Sequence, residues 1–297
     1  MGRNEAELQA ILGNVSSYVF VVAAAGLALG LIAIVFFRRP RTDRNWLPGL
    51  DRVATFEERT ANKVVVRNLR DWTFDQNGPV QKDWRDVLID PETAASVWYF
   101  VDLFPRSDLF AHTFASFKVC GENGIEYLTL SIEIRKTVGQ KYSPIRGLLN
   151  AYELIYLWST ERDVLGLRAT AHGKQVYGYK VNLTSDQVKK VFQAFIKETK
   201  ELAAKPRFYN TLASNCTSLL AHAVNRIGKT RIPFHYSYVL TGYADRYLHR
   251  LGFLGDGKQD FATIRAEAYL TEIIQSVSGC DAATFSRRIR EAIRSHA

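Results

Sequence analysis

The longest run of uncharged, mostly apolar residues lies near the N-terminus, at residues 18–37. Its sequence is YVFVVAAAGLALGLIAIVFF. At 1.5 Å of rise per residue, a helix of this length spans about 30 Å, which matches the hydrocarbon core of a bilayer. A cleaved signal peptide is the alternative, but the run is long for one and no clean cleavage site accompanies it. We therefore predict a transmembrane helix at 18–37, preceded by a short segment at 1–17.

Beyond residue 62 the pattern changes to short segments with the two-residue alternation of half-buried strands. The clearest is YLTLSIEI, at 127–134. Other predicted strands lie at 63–66, 97–104, 110–119, 154–158, 164–169 and 176–181. We expect these segments to form an antiparallel sheet.

Helical spacing appears after Thr184, which forms a capping box with Gln187. The apolar face of this predicted helix consists of Val188, Val191, Phe192, Phe195, Ile196 and Leu202. A second helix is predicted to begin at Cys216 and to stop at Gly228, and roughly the last 60 residues have a mostly helical pattern. The predicted fold class is α+β: the transmembrane helix, a linker at 38–62, and one domain at 63–297.

Composition supports a globular domain, with 47% hydrophobic and 23% charged residues and a formal net charge of +9. The basic residues concentrate at 38–44 and 287–294 and are not interleaved with aromatics, which disfavours nucleic acid as a partner. Basic residues after an apolar helix favour contact with a membrane surface. By the positive-inside rule they also favour a cytoplasmic domain.

Three cysteines without a CxxC pair argue against a disulfide scaffold and a cysteine-based zinc site. The histidines form no metal-binding pattern, so we expect neither a metal nor a cofactor. Cys216 differs from the others because Ser214 and Asn215 are good N-cap residues and would place it in the first turn of a helix. There the helix dipole stabilises a thiolate and free N–H groups can bind an oxyanion. The alternative is a small buried residue.

A histidine can be paired with this thiol. His112 lies on a predicted strand, and GENG at 121–124 predicts a hairpin to the next strand. If Glu122 and Asn123 are the loop, the residue numbers of paired positions on the two strands add up to 245, and His112 faces Glu133. If the loop is one residue later, His112 faces Arg135. In both registers Ser131, Glu133 and Arg135 share the histidine's face, where a carboxylate could orient the imidazole. A structural, solvated face is the alternative.

Other residues could contact a substrate. Tyr209, Asn210 and Asn215 lie beside the cysteine. Tyr142 belongs to KYSPIRGLLNAYELIYLWSTERD, at 141–163, which could line a groove or be an ordinary crossover loop.

The segments AHTFASF, LSIEIRK, YSPIRGLLNAYELIYLWSTERDVLGLR and FYNTLASNCTSLLAH resemble, in this order, the Lnb-type family. The resemblance extends from RTDRNW, near Asn45, to the C-terminus. It implies a circularly permuted papain-like fold, in which the histidine precedes the cysteine. It also implies an enzyme that N-acylates bacterial lipoproteins, moving an acyl chain from the diacylglyceryl group to the α-amino group of the N-terminal cysteine.

Carried over to this chain, the resemblance makes Cys216 the nucleophile that holds a thioester, His112 its base and Glu133 the residue that orients His112. We predict that the substrate-binding residues are Tyr209, Asn210, Asn215, Ser131, Arg135 and Tyr142. The implied partners are a lipoprotein or lipid and the membrane. The implied location is the inner membrane with the domain in the periplasm, against the arginine count. A cysteine peptidase or amidase of the cell envelope, and a non-catalytic binding domain, remain alternatives.

Overall fold

The computed structural model describes residues 18–27, 29–30, 33, 37–104, 107–227 and 231–295. Within the apolar segment at 18–37, the described residues are helical. Within the part of the chain described, no helix is both long and apolar enough to cross a membrane. The prediction of a transmembrane helix is therefore wrong. The predicted segment at 1–17 lies outside the described residues.

The described residues form one mixed α/β unit built on a large sheet. Its strands are β1 (Thr55–Thr60), β2 (Lys63–Asp75), β3 (Gly78–Asp90), β4 (Ser96–Phe104), β5 (Ser107–Gly121), β6 (Gly124–Arg135), β7 (Glu153–Thr160) and β8 (Val176–Lys180). The α-helices are α1 (Pro144–Leu148), α2 (Glu161–Gly166), α3 (Ser185–Ala204), α4 (Cys216–Arg226), α5 (Ala244–Arg250), α6 (Phe261–Glu267), α7 (Thr271–Ser276) and α8 (Ala282–Ser295). The sheet begins at β1, inside the range predicted as a linker.

The strand order is β1-β2-β7-β6-β5-β4-β8, and β3 pairs with β2 and β5. Neighbouring strands are antiparallel except β2 and β7, which meet in parallel at Arg70 and Ser159. The β5–β6 hairpin turns through Glu122 and Asn123, with Gly121 opposite Gly124. Gly124 has a φ of +125°, which a residue with a Cβ rarely adopts. The first of the two predicted hairpin registers is therefore confirmed.

Strand alternation sends side chains to two apolar layers, one on each face of the sheet. On one face, Phe117 and Trp158 pack against Phe192 and Phe195 of α3, together with α4. On the other face, Phe100 and Phe114 stack and pack with residues of α2, α7 and α8. Helices on both faces thus enclose the sheet. The predicted apolar face of α3 and its capping box are confirmed.

One predicted strand, at 164–169, is wrong. These residues form the end of α2 and a π-helical turn, Leu167–Ala171. The helix starts here because the Thr160 hydroxyl accepts the N–H of Asp163 and caps it. The Asp163 carboxylate is held in turn by the buried guanidinium of Arg70, with Nη2 2.6 Å from Oδ1. These contacts stabilise helical structure here, although the sequence alternates as in a strand. Helix α4 starts at Cys216 as predicted, whereas its predicted stop, Gly228, lies outside the described residues.

Candidate active site

The start of α4 is fixed by Asn215, the residue before the thiol. The Asn215 Oδ1 atom accepts the N–H of Ser218 (2.8 Å), and the Ser218 hydroxyl accepts the N–H of Asn215 (3.0 Å), which completes a capping box. The Asn215 amide also donates to the carbonyls of Thr211 (2.8 Å) and Tyr238 (2.7 Å). Cys216, only 5% exposed, is thereby held in the first turn of the helix.

His112 is buried on β5, opposite Asp102 of β4. Its backbone N–H donates to Oδ1 of Asp102 (3.1 Å). Its ring Nε2 atom lies 2.7 Å from the Ser131 hydroxyl and 3.4 Å from Oε1 of Glu133. The Ser131 hydroxyl donates to the same Glu133 oxygen (2.8 Å). Because Nε2 faces Ser131 and Glu133, Nδ1 is the ring nitrogen left for the thiol.

The thiol and the imidazole meet where α4 packs against β5. The side chains of Cys216 and His112 line the same cavity and are close enough for each to shift the pKa of the other. The hydroxyl of Thr113, next to His112 on β5, lies 3.0 Å from that of Thr217, next to Cys216 on α4. Thr113 also contributes to lowering the pKa of the Cys216 thiol. The structure therefore brings together the two residues that were predicted to react.

Electrostatics favours the charged forms of both groups. Burial alone would raise the pKa of the Cys216 thiol, but the charge and hydrogen bond of His112 lower it below its ordinary value. Burial alone would likewise lower the pKa of His112, but the negative charges of Glu133 and Cys216 raise it. The two shifts together favour a thiolate beside an imidazolium, which is the nucleophilic form of such a pair.

A network of buried charges lies behind the imidazole. The Arg168 guanidinium contacts the Glu133 carboxylate on one side and pairs with Oδ2 of Asp102 (3.2 Å) on the other. The Lys174 ammonium also pairs with Asp102 (3.2 Å). Burial would raise the pKa of Glu133, yet Arg168 and His112 hold it well below its usual range. Glu133 is therefore ionised and able to pair with the imidazolium.

Sequence analysis missed Arg168, Asp102 and Lys174. A signal was present for Asp102, because it is a charged residue in the middle of VWYFVDLF, an otherwise apolar strand. A carboxylate placed there requires a buried cationic partner. No comparable local signal marks Arg168, which lies in the π-helical turn that was predicted as a strand.

The pair opens into a cavity of about 440 Å³, with Cys216, His112 and Glu133 in its wall. Its cationic residues are Lys136, Arg168 and Lys174. Its main apolar lining residues are Phe104, Phe110, Ile132, Ile134, Pro144 and Val239. The cavity therefore combines a nucleophile with apolar walls and a few positive charges.

Three of the predicted substrate-binding residues, Tyr142, Tyr209 and Asn215, line this cavity. Burial raises the pKa of both phenol groups, Tyr142 and Tyr209, and the two are close enough to influence each other. Ser131 lies behind the cavity, where it links His112 to Glu133.

Asn210 and Arg135 do not line the cavity. The Asn210 Oδ1 atom accepts the N–H groups of Leu212 and Ala213 and so shapes the loop before Cys216. The Arg135 guanidinium donates to the carbonyls of Leu50 and Asp51 (2.8 Å each), under the ring of Trp46. Arg135 thus fixes the segment before β1.

Fold and site together define a mixed α/β domain with a cysteine beside a histidine, which a serine hydroxyl links to a glutamate. The chain belongs to the family of Lnb N-terminal periplasmic domains, whose model matches residues 80–242, more than half of the chain. The matched range contains Cys216, His112 and Glu133. The family description supports the periplasmic placement that the resemblance implied. No curated protein and no solved structure matches the chain.

Proposed function

We propose that the protein is a thiol-dependent acyltransferase that acylates the N-terminal cysteine of bacterial lipoproteins through a thioester on Cys216. The observation that carries this proposal is the proximity of Cys216 and His112 in the wall of one cavity, with the thiol pKa lowered and the imidazole pKa raised. We include in the proposal a circularly permuted papain-like arrangement, in which the histidine strand precedes the cysteine helix.

The first half of the reaction forms the thioester. The Cys216 thiolate attacks the carbonyl carbon of an ester-linked acyl chain and gives a tetrahedral oxyanion. Backbone N–H groups in the first turn of α4 are placed to stabilise that charge. As the C–O bond of the ester breaks, the His112 imidazolium gives its proton to the leaving alkoxide. The products are the Cys216 thioester, a free hydroxyl and neutral His112.

The second half transfers the acyl group. The neutral amine of the acceptor attacks the thioester carbonyl, and His112 takes the proton that the amine loses. The C–S bond then breaks, which forms the amide and restores the thiolate–imidazolium pair. Glu133 stays ionised throughout and stabilises the imidazolium, as the carboxylate of a catalytic triad does.

The lining of the cavity supports a lipid substrate over a purely polar one. Phe104, Phe110 and Val239 give part of the walls an apolar character, which suits an acyl chain. A cavity of about 440 Å³ is within the range of small-molecule sites.

Mass spectrometry of lipoprotein N-termini tests the proposal in cells. A strain without the gene is complemented with the wild-type chain, with Cys216→Ala or with Cys280→Ala, a matched control at another free cysteine. We expect N-acylated cysteine with the wild type and with Cys280→Ala, and a free α-amino group with Cys216→Ala. Unchanged acylation in all strains would reject the transferase. If only peptide fragments of the cell wall changed, the site would be that of an amidase. If Cys216→Ala behaved like the wild type in every respect, the site would be non-catalytic.

A further inference from the structure

The mouth of the cavity is surrounded by large apolar side chains that are exposed. On one side are Phe104, Leu109 and Phe110, at the end of the β4–β5 hairpin. On the other are Tyr142, Ile145, Leu148 and Leu212. We call these seven residues the apolar rim. Phe104, Phe110 and Tyr142 also line the cavity, so the rim is continuous with the candidate active site.

The second side of the rim is held in place by hydrogen bonds between α1 and the loop before Cys216. Helix α1 carries Ile145 and Leu148 three residues apart, and hence on neighbouring positions of one face. The loop that leads to Cys216 packs against this helix: the Thr211 hydroxyl donates to the carbonyl of Pro144 (3.0 Å). The Asn210 amide donates to the carbonyl of Leu148 (3.3 Å). These bonds hold Leu212 beside α1 with its side chain outward. Ile145 is 70% exposed and Leu212 52% exposed.

Contiguous apolar surface of this kind marks a contact with a partner or a membrane. The charged residues near the rim distinguish between a partner and a membrane. Lys136, Lys141 and Arg146 lie in or beside the same side of the rim, and within the described residues none of them forms an ion pair with an acidic side chain. Asp108 is an acidic residue on the opposite side. Apolar and aromatic side chains combined with unpaired cations are the features that seat a protein on a bilayer containing anionic lipid.

We infer that the apolar rim docks on the surface of an anionic lipid bilayer, so that the cavity of Cys216 opens directly onto the lipid. The choice of lipid as occupant rests on the proposed function, because an acyl donor anchored in a membrane must enter the cavity from that membrane. Docking shields the cavity mouth from water and lets an acyl chain pass from the bilayer along the walls formed by Phe104 and Phe110.

The chain offers a matched control site. Ile125 is also an exposed apolar residue, 49% exposed, but it pairs with Cys120 at the other end of β5. The nine residue steps along β5 from Ala111 to Cys120 place it about 30 Å from the rim. A bilayer that touches Ile145 and Leu212 therefore does not reach Ile125.

Site-specific fluorescence on the full chain tests docking. In a background of Cys120→Ser, Cys216→Ser and Cys280→Ser, the substitutions Ile145→Cys, Leu212→Cys and Ile125→Cys are each labelled with an environment-sensitive dye. Vesicles of equal phosphatidylglycerol and phosphatidylcholine are the probe, with and without doxyl-labelled lipid. We expect a blue shift and doxyl quenching at 145 and 212, weaker without phosphatidylglycerol, and neither at 125. If the chain bound the vesicles through another segment, the fluorescence of all three labels would respond alike.

Two outcomes would overturn the inference. One is that the labels at 145 and 212 respond to vesicles no more than the label at 125. The other is that they shift without vesicles as protein concentration rises, which would mean that the rim binds a second copy of the chain. Because this background lacks the thiol, docking is measured without acyl transfer, and failure of docking is distinguishable from failure of the proposed function.

A kinetic measurement complements the fluorescence. Ile145→Asp and Leu212→Asp each replace an apolar group that would be buried on docking, and we expect each to slow acyl transfer from vesicles about tenfold. Ile125→Asp should leave the rate unchanged. Alkylation of Cys216 by iodoacetamide should be equal in all three variants and the wild type. Equal rates of acyl transfer in the rim and control variants would contradict docking.

Discussion

The Arg168 guanidinium lies 3.2 Å from Oδ2 of Asp102. The same Asp102 carboxylate accepts the backbone N–H of His112, and the same Arg168 contacts Glu133. The pair of Arg168 and Asp102 therefore connects the backbone of His112 to the Glu133 carboxylate, which faces the His112 ring. The position of His112 depends on charges from β4 and from the π-helical turn, which lie far from it in sequence.

Removing Arg168 should destabilise the fold strongly. Arg168→Met leaves the buried carboxylate of Asp102 and the partly buried carboxylate of Glu133 without their common partner, so we expect a loss of about 3 kcal/mol or more in the free energy of unfolding. Arg67→Met is the control, because Arg67 also bridges two carboxylates, Glu57 and Asp86, but at the surface. It should cost less than about 1 kcal/mol. Urea unfolding measures both, and equal costs would show that Arg168 is not the centre of a buried network.

Glu133 should set the pH at which the thiol becomes reactive. Its negative charge raises the pKa of His112, so Glu133→Gln should lower that pKa. With less imidazolium at a given pH, the thiolate loses its counter-ion and the pKa of Cys216 rises. The onset of iodoacetamide alkylation should therefore move to higher pH. At pH values below the onset, each unit of displacement lowers the rate about tenfold.

The wild-type profile is the reference for that prediction. We expect alkylation of Cys216 to begin below the pKa of about 8.5 of an ordinary cysteine. Cys120, which is exposed, provides an internal comparison when each alkylation site is followed by peptide mass spectrometry. An unchanged profile in Glu133→Gln would mean that the carboxylate does not act on the pair.

Asn215 should matter for both stability and reactivity. Asn215→Ala removes the cap of α4 and should cost about 1 kcal/mol. Because the same side chain fixes the turn that carries Cys216, the alkylation rate at neutral pH should fall as well. Thr184→Ala removes the equivalent cap of α3, which lies outside the cavity lining. It should cost similar stability without changing alkylation. If the alkylation rate fell in both variants, the cause would be a general loss of stability and not the position of Cys216.

Arg135 should prove structural. It was predicted on the face of His112, but its guanidinium binds the carbonyls of Leu50 and Asp51. Arg135→Ala leaves these carbonyls without their donor and should cost about 1 to 3 kcal/mol. The alkylation profile of the folded variant should match that of the wild type. A displaced profile would place Arg135 in the electrostatics of the site.

Local pattern predicted the parts of the site that depend on local geometry. The GENG turn fixes which residues of β6 lie beside His112, and a good N-cap places Cys216 at a helix start. The role of Arg168 could not be predicted because the conformation of its backbone depends on contacts between residues distant in sequence, among them the pair of Arg70 and Asp163. The docking of α4 on β5, which joins thiol to imidazole, is likewise a tertiary relation. Hydropathy over residues 18–37 predicted a membrane span that the described residues do not form.

The most direct test of the central claim is to trap the acyl group on the thiol. The purified full chain is mixed with a diacylated lipopeptide whose α-amino group is blocked, so that the second half-reaction cannot occur. Intact-protein and peptide mass spectrometry should then show one acyl chain added to Cys216, removed by neutral hydroxylamine. The adduct should be absent in Cys216→Ala and strongly reduced in His112→Ala. A wild-type protein that carries no hydroxylamine-labile acyl group on Cys216 would contradict the account.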